Sequence, residues 1–276
     1  MQEAYFTRHS LKPDRGGEES ERYPGLSPKG VELAKERARQ EIAQVVEKAD
    51  VGSVIFIGGA SDMLRTKSTA EIYGDELENI AAEGNLDALV ITREQIQQIE
   101  GGAGSYNKTL KRVINLIGEH RDKKIVVDFP LFLRGLSLKE KGWFDDKGDL
   151  SVMELVKKHN WNESEAAREW LETKGMVSDS KMGPDPKEVA RHTIEEINRL
   201  RTFGQKYLGN RPIIPFLVGH SWALDALLWE SGDRAYLDNG TLKETELVGV
   251  KINPTGELEI EHGDQTFLVD QDKIDL

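Results

Sequence analysis

The apolar positions of this chain fall into short continuous runs and longer helical stripes, and the two kinds alternate. Residues 4–7 form an apolar run that leads into Arg8-His9, as a buried strand does. A polar loop rich in Gly, Glu and Arg follows over residues 10–25. Ser27-Pro28 then supplies a helix cap with proline at the first helical position. Val31, Ala34, Ala38, Ile42 and Val45 recur at helical spacing and predict an amphipathic helix over about residues 28–49. Residues 54–57 read as the next strand, ended by Gly58-Gly59, and residues 61–73 as a helix opened by a capping Ser61-Asp62 pair. The end of the chain repeats this alternation. A helix over about 187–208 carries Ala190, Ile194, Ile197 and Leu200 on one side, and residues 213–218 form a strand. Gly219-His220-Ser221 turns into a helix running through Leu228. Two short strands, 247–252 and 257–260, close the chain around a turn at 253–256. The middle gives strands at 88–92 and 124–129 and helices at 106–118 and 152–158, separated by Gly-rich and charged loops.

This order predicts an α/β protein, a three-layer α/β/α sandwich with a mostly parallel central sheet. Residues 1–276 are expected to form one domain. The stretch ~75–187 is expected to supply connections and an inserted cap, not a second domain.

Charge narrows the partners. The chain has 37 basic and 49 acidic residues and a net charge of −12, which disfavours nucleic acid. A small anionic substrate remains open, but its cations must be concentrated locally against the overall field. The absence of cysteine excludes disulfides, thiolate chemistry and Cys-based zinc sites. No apolar run has the length of a membrane span, and the N-terminus lacks the features of a signal peptide, so a cytoplasmic location without membrane partners is expected.

Three segments share one design, a strand that ends on polar residues where a loop or helix begins. They are Phe6 to Ser10, Ile57 to Ala70 and Phe216 to Ser221. In open α/β folds ligands sit beyond the carboxyl ends of strands, where helix N-termini favour anions. Two histidines and two arginines projected there would make a phosphate site with a nucleophile. Each piece alone is commonly structural; the ordered set is what points to chemistry.

The set resembles the histidine phosphatase superfamily, which includes the phosphoglycerate mutases. Thr7-Arg8-His9-Ser10 is similar to the family's Arg-His-Gly motif, with serine in place of glycine. Leu26-Ser27-Pro28-Lys29-Gly30 looks like its Leu-Thr-x-x-Gly. The run from Ser61 to Ala70 resembles Ser-Pro-Leu-x-Arg-Ala-x-x-Thr-Ala, and Val218-Gly219-His220-Ser221 resembles the second-histidine motif. The matches span residue 5 to about 230 in family order, while ~75–185 match little beyond length and general pattern.

The resemblance implies that His9 attacks phosphorus and forms a phosphohistidine. Arg8, Arg65 and His220 would hold the peripheral oxygens, with Ser221 and its helix dipole beside them and Arg15 as a further substrate contact. Imidazole, with an ordinary pKa near 6.5, can serve as that nucleophile near neutrality, and arginine's planar fork suits phosphate. No cofactor and no metal are implied. Ser10 is small and keeps its backbone N–H, so a perturbed but working site is expected. The acid that protonates the leaving group is less defined. Glu140, within Leu138-Lys139-Glu140-Lys141-Gly142-Trp143, best matches the mutase branch; Asp225, about one and a half helical turns past His220, is its rival, and Asp128 at a strand end is a third candidate. Arg22, in the loop after His9, reads as solvated, and the five tryptophans read mainly as packing, with Trp222 able to line a pocket. The expected activity is hydrolysis of a phosphomonoester, on a small phosphorylated molecule or a phosphopeptide. The alternatives are a mutase-type phosphotransfer and a phosphate-binding module with little turnover.

Overall fold

A computed structural model describes residues 2–14, 16–100, 106–129, 137–138, 142–144, 150–178, 181–232, 234, 237–238, 240–252 and 257–269. Its elements in chain order are β1 (Gln2–Arg8), α1 (Pro28–Lys48), β2 (Val54–Ala60), α2 (Leu64–Ala82), β3 (Leu89–Ile91), α3 (Arg93–Glu100), α4 (Tyr106–Gly118) and β4 (Ile125–Asp128). These are followed by α5 (Met153–Lys158), α6 (Glu163–Glu172), β5 (Met176–Ser178), β6 (Lys181–Met182), α7 (Pro186–Tyr207), β7 (Ile213–Gly219), α8 (Ser221–Ser231), β8 (Leu247–Ile252), β9 (Leu258–His262) and β10 (Gln265–Val269).

Eight strands make one sheet in the order β10-β9-β8-β1-β7-β2-β4-β3. The five from β1 to β3 run parallel, and β8, β9 and β10 add an antiparallel edge. Strand side chains alternate between faces, and the two faces feed two cores. Tyr5, Ile55, Ile57, Val126, Ile214 and Phe216 pack against α1 and α2 on one side. Phe6, Phe56, Val127 and Leu217 pack with residues of α4, α5, α6, α7 and α8 on the other. A central strand apolar on both faces reads as a continuous run, which is why β2 and β7 stood out in the sequence. The architecture is the expected mixed α/β sandwich with a mostly parallel sheet. None of the described helices is long and apolar enough to cross a membrane.

Several local readings change. Gly58-Gly59 does not end β2: the strand continues to Ala60 through a bulge between Phe56 and Gly59, with Gly58 at φ 94°. The helix after it starts at Leu64, and its cap position, Met63, makes no side-chain cap bond; Ser61 is used elsewhere. Within 75–187, β3 and β4 belong to the main sheet, while α5, α6 and the β5–β6 ribbon lie outside it. Helices α3 and α6 and strands β5, β6 and β10 had no expectation attached to them. The turn expected at 253–256 lies outside the described residues.

Two segments are pressed together at the start of α1. Ser27 caps the helix by accepting from the Gly30 N–H at 3.0 Å, and the Ser27 N–H donates to Leu11 O at 3.0 Å. A Cβ on Gly30 would sit 2.3 Å from Leu11 O. Alanine ordinarily favours a helix over glycine, but here it must displace backbone. Gly30→Ala is therefore expected to destabilise the protein by about 1–3 kcal/mol, read as a lower urea midpoint; an equal or higher midpoint would contradict this packing.

Candidate active site

The parallel register places Arg8 of β1 opposite Gly219 of β7, so His9 and His220 leave adjacent strand ends. The His9 N–H donates to Gly219 O at 3.0 Å, which continues the ladder one residue past the strand. The two imidazoles lie edge to face with centroids 5.4 Å apart. Arg65, second residue of α2, reaches the same place, its Nη2 lying 3.5 Å from His220 Nδ1. These four side chains line one cavity of about 220 Å³ together with Lys12, Glu163 and Ser221.

The hydrogen bonds fix both ring tautomers. Ser10 O can only accept, so His9 Nδ1, 2.8 Å away, carries the proton and Nε2 keeps its lone pair. A guanidinium can only donate, so His220 Nδ1 faces Arg65 unprotonated and His220 Nε2–H donates to Ser61 Oγ at 2.8 Å. Ser61 in turn meets Thr66 Oγ1 at 2.8 Å, and Thr66 donates to Met63 O. Ser61 thus orients His220 instead of capping α2, the role its sequence position suggested.

Burial, then the nearby positive charge of Arg65, the second imidazole and Arg8, holds the His9 pKa well below its ordinary value. His220 is pushed down in the same way by burial and by Arg65 and Arg8. Both rings are neutral at neutral pH, which leaves His9 Nε2 with an available lone pair.

Arg8 is held on several sides. Its Nη1 donates to Leu242 O, and its Nη2 lies 3.1 Å from Glu244 Oε1 and 3.7 Å from Glu163 Oε2. The loop behind it is shaped by Thr245, a β-branched residue at φ 57° whose N–H donates to Arg8 O. The Nε atoms of Arg8 and Arg65 are buried with no hydrogen-bond partner. Unsatisfied buried cationic N–H groups are costly, and an oxyanion on the cavity floor offers acceptors to their guanidinium groups.

Ser10 is fully buried with an ordinary backbone. Its Oγ donates to Gly30 O at 2.7 Å and its N–H to Thr69 Oγ1 at 3.0 Å, while Thr69 donates to Arg65 O. Serine at this position bolts the His9 loop to α1 and α2.

The structure brings Arg8, His9, Arg65, His220 and Ser221 together. It does not bring Asp225 there: this fully buried carboxylate accepts from the Leu242 N–H at 3.0 Å, and so braces the loop whose carbonyl receives Arg8. Asp128 is buried at the end of β4 and pairs with Arg93 at 3.0 Å; burial, against the Arg93 charge, raises its pKa to about 6. Arg22 pairs with Asp75 away from the cavity. Glu140 and Arg15 lie outside the described residues.

Glu163 and Lys12 had no sequence signal. Glu163 opens α6, whose cap Asn162 accepts from Ser164 and Glu165, and its Oε1 accepts from Lys12 Nζ at 2.7 Å. Burial raises the Glu163 pKa, but the Lys12 bond and the charges of Lys12, Arg8 and Arg65 outweigh it and hold the carboxyl below its usual range. The one hint in the sequence was the Asn162-Glu163 helix start, too common to mark a site. Three tryptophans expected mainly to pack, Trp143, Trp161 and Trp222, also line the cavity.

No protein-family model and no curated protein matches the sequence. Solved structures do match. A mycobacterial glucosyl-3-phosphoglycerate phosphatase is 15% identical over 90% of this chain and 89% of that chain, with a TM-score of 0.42. A phosphoglycerate mutase of Bacillus anthracis is 12% identical over 99% and 95%, with a TM-score of 0.48. An alpha-ribazole phosphatase of Shigella flexneri is 12% identical over 96% and 96%, with a TM-score of 0.44.

The lowered pKa values have a direct spectroscopic consequence. At pH 6 an unperturbed imidazole is mostly protonated, whereas the ¹⁵N shifts of His9 and His220 are expected to remain those of neutral rings, with His9 in the Nδ1–H form and His220 in the Nε2–H form. A midpoint at or above 6.5 for either ring would contradict the burial and charge arrangement.

Proposed function

We propose that the chain is a member of the histidine phosphatase superfamily that hydrolyses phosphomonoesters through a phosphohistidine on His9. The observation that carries this reading is the His9 ring itself, its Nδ1–H tied to Ser10 O and its Nε2 lone pair free among Arg8, Arg65 and His220. A neutral imidazole with a fixed tautomer, buried beside two guanidinium groups, is the arrangement that in-line attack on a phosphoryl group needs.

In the first step Nε2 attacks phosphorus, the P–N bond forms and the ester P–O bond breaks. Arg8 and Arg65 hold the peripheral oxygens and the α8 N-terminus at Ser221 adds its dipole. His220 faces the group from the other side. A bound dianion raises the His220 pKa, so that it can donate as an imidazolium. The departing alkoxide takes a proton from Glu163, the described carboxylate on the cavity. Glu163 is anionic while Arg8 and Lys12 serve it; a phosphoester that competes for those cations raises its pKa toward the acid form. Water then attacks phosphorus as Glu163 takes its proton; the new P–O bond forms, the P–N bond breaks with its electron pair returning to His9 Nε2, and inorganic phosphate leaves.

Mutase-type transfer is less well served. It needs cations for a substrate carboxylate as well as for the phosphoryl group, and among the described cavity residues Lys12, the one cation beyond the two arginines, is already paired to Glu163.

Phosphate release from p-nitrophenyl phosphate and benzyl phosphate tests both parts. His9→Ala is expected to abolish turnover of both esters; equal inactivity of wild type and variant across pH 5–8 would overturn the hydrolase reading. Glu163→Gln is expected to lower kcat roughly 10²–10⁴-fold on benzyl phosphate, and only a few-fold on the nitrophenyl ester, whose leaving group departs without a proton. If Glu140→Gln shows that leaving-group-dependent loss and Glu163→Gln does not, the donor is Glu140.

A further inference from the structure

The cavity has two chemically distinct ends. Seven of its fifteen described lining residues are polar, and all seven belong to the phosphate cradle or the Lys12–Glu163 pair beside it. The other eight are three tryptophans and five aliphatic side chains. Among the described residues, the hydrogen-bonding side-chain groups of the wall beyond the cradle are the indole N–H groups of its tryptophans, that of Trp143 buried without a partner; the wall offers no side-chain acceptor, hydroxyl, amide or charge for a sugar, an amino acid backbone or a polyol.

Trp143 and Trp222 form the rigid part of this wall. Both are buried, and both pack on Trp170, which is fully buried and donates Nε1–H to Pro184 O at 2.8 Å. Val152 and Val156, from the start and body of the α5 segment, continue the surface. Trp161 is different. It lines the same cavity yet is 63% exposed, and with Asn160 it occupies the left-handed backbone region, at φ 70° and 52°. An aromatic residue there is rare and is maintained only where its surroundings impose it. Here the Trp161 N–H donates to Val156 O at 2.8 Å and the next residue, Asn162, caps α6. The backbone of the α5–α6 turn is thus fixed while an indole stands at the cavity mouth.

We propose that the site accepts phosphomonoesters of aromatic or otherwise planar apolar alcohols, with the leaving group held between Trp161 and the Trp143/Trp222 wall. This assignment rests on the hydrolase reading above for its reaction, and on the wall alone for its leaving group. A cavity of about 220 Å³ exceeds the ~150 Å³ that accommodates a benzene ring in a protein core, so one ring beside the phosphoryl group fits. Indole faces stack on such a ring. Hydroxyls buried on this wall would lose their water partners and find no side-chain acceptor there for their protons.

Benzyl phosphate and glycerol 3-phosphate test the assignment, because both release an alkoxide and differ in the surface they bury. The kcat/KM ratio is expected to favour the benzyl ester roughly 10- to 100-fold, the worth of burying one phenyl-sized group. Trp161→Ala is expected to cut that ratio about tenfold, and Trp161→Phe, which keeps a ring, to retain most of it. Equilibrium binding of benzylphosphonate and methylphosphonate, followed by tryptophan fluorescence, gives a readout that needs no turnover. Tighter benzylphosphonate binding with no hydrolysis of either ester would uphold the wall assignment and overturn the hydrolase reading. Hydrolysis of both esters at equal kcat/KM, or a preference for the glycerol ester, would overturn the substrate class and leave the hydrolase reading standing.

Discussion

Parallel pairing of β1 with β7 puts Arg8 opposite Gly219, and the next residue on each strand is a histidine. Because both strands end at the same level, the two imidazoles are forced side by side at the sheet's carboxyl edge, where β2 also ends and delivers α2 with Arg65. Both rings are buried deeply enough that ionised histidines beside two guanidinium groups would be costly. Neutral rings are the consequence, and a neutral ring with one nitrogen tied to a carbonyl has its lone pair on the other. The nucleophilicity proposed for His9 would thus follow from strand register and burial.

The same crowding explains the outer ring of contacts. An unpaired buried guanidinium would be unstable, and Arg8 is held by the Leu242 carbonyl, Glu244 and, at longer range, Glu163. Asp225 and the left-handed Thr245 set that loop in place. These carboxylates offset the charge of two neighbouring arginines, whose buried Nε groups have no hydrogen-bond partner. Glu163 lies near Arg8 and on the cavity wall, where the proposed mechanism has it act on the leaving group.

The parts legible in the sequence were those written locally. A strand run ending in Arg8-His9 or in Gly219-His220, and an arginine near the start of a helix, are visible in a few consecutive residues. What was not legible depends on distant segments meeting. Lys12 and Glu163 are 151 positions apart, and Ser61 and His220 are 159 apart, so neither pairing leaves a periodic trace. Helix α6 buries only Ala166, Ala167, Trp170 and Leu171 within a charged stretch, a stripe too narrow to stand out. Asp225, a rival candidate to Glu140, could not be placed from the sequence because α8 is buried nearly all round, and spacing along such a helix does not say which side faces the cavity. The glycines of β2 looked like a strand end because a bulge uses the same residues as a stop. Ser10 in place of glycine was expected to perturb the site without disabling it, and its side chain is a hydrogen-bonded brace to α1.

The central claim is that His9 Nε2 becomes covalently bonded to phosphorus. Rapid quenching of the protein with ³²P-labelled benzyl phosphate, followed by peptide mapping, measures this directly. An adduct that is acid-labile, base-stable, located on His9 and absent from His9→Ala is the result this account predicts. Phosphate release with no such adduct, or an adduct that maps to another residue, would contradict it.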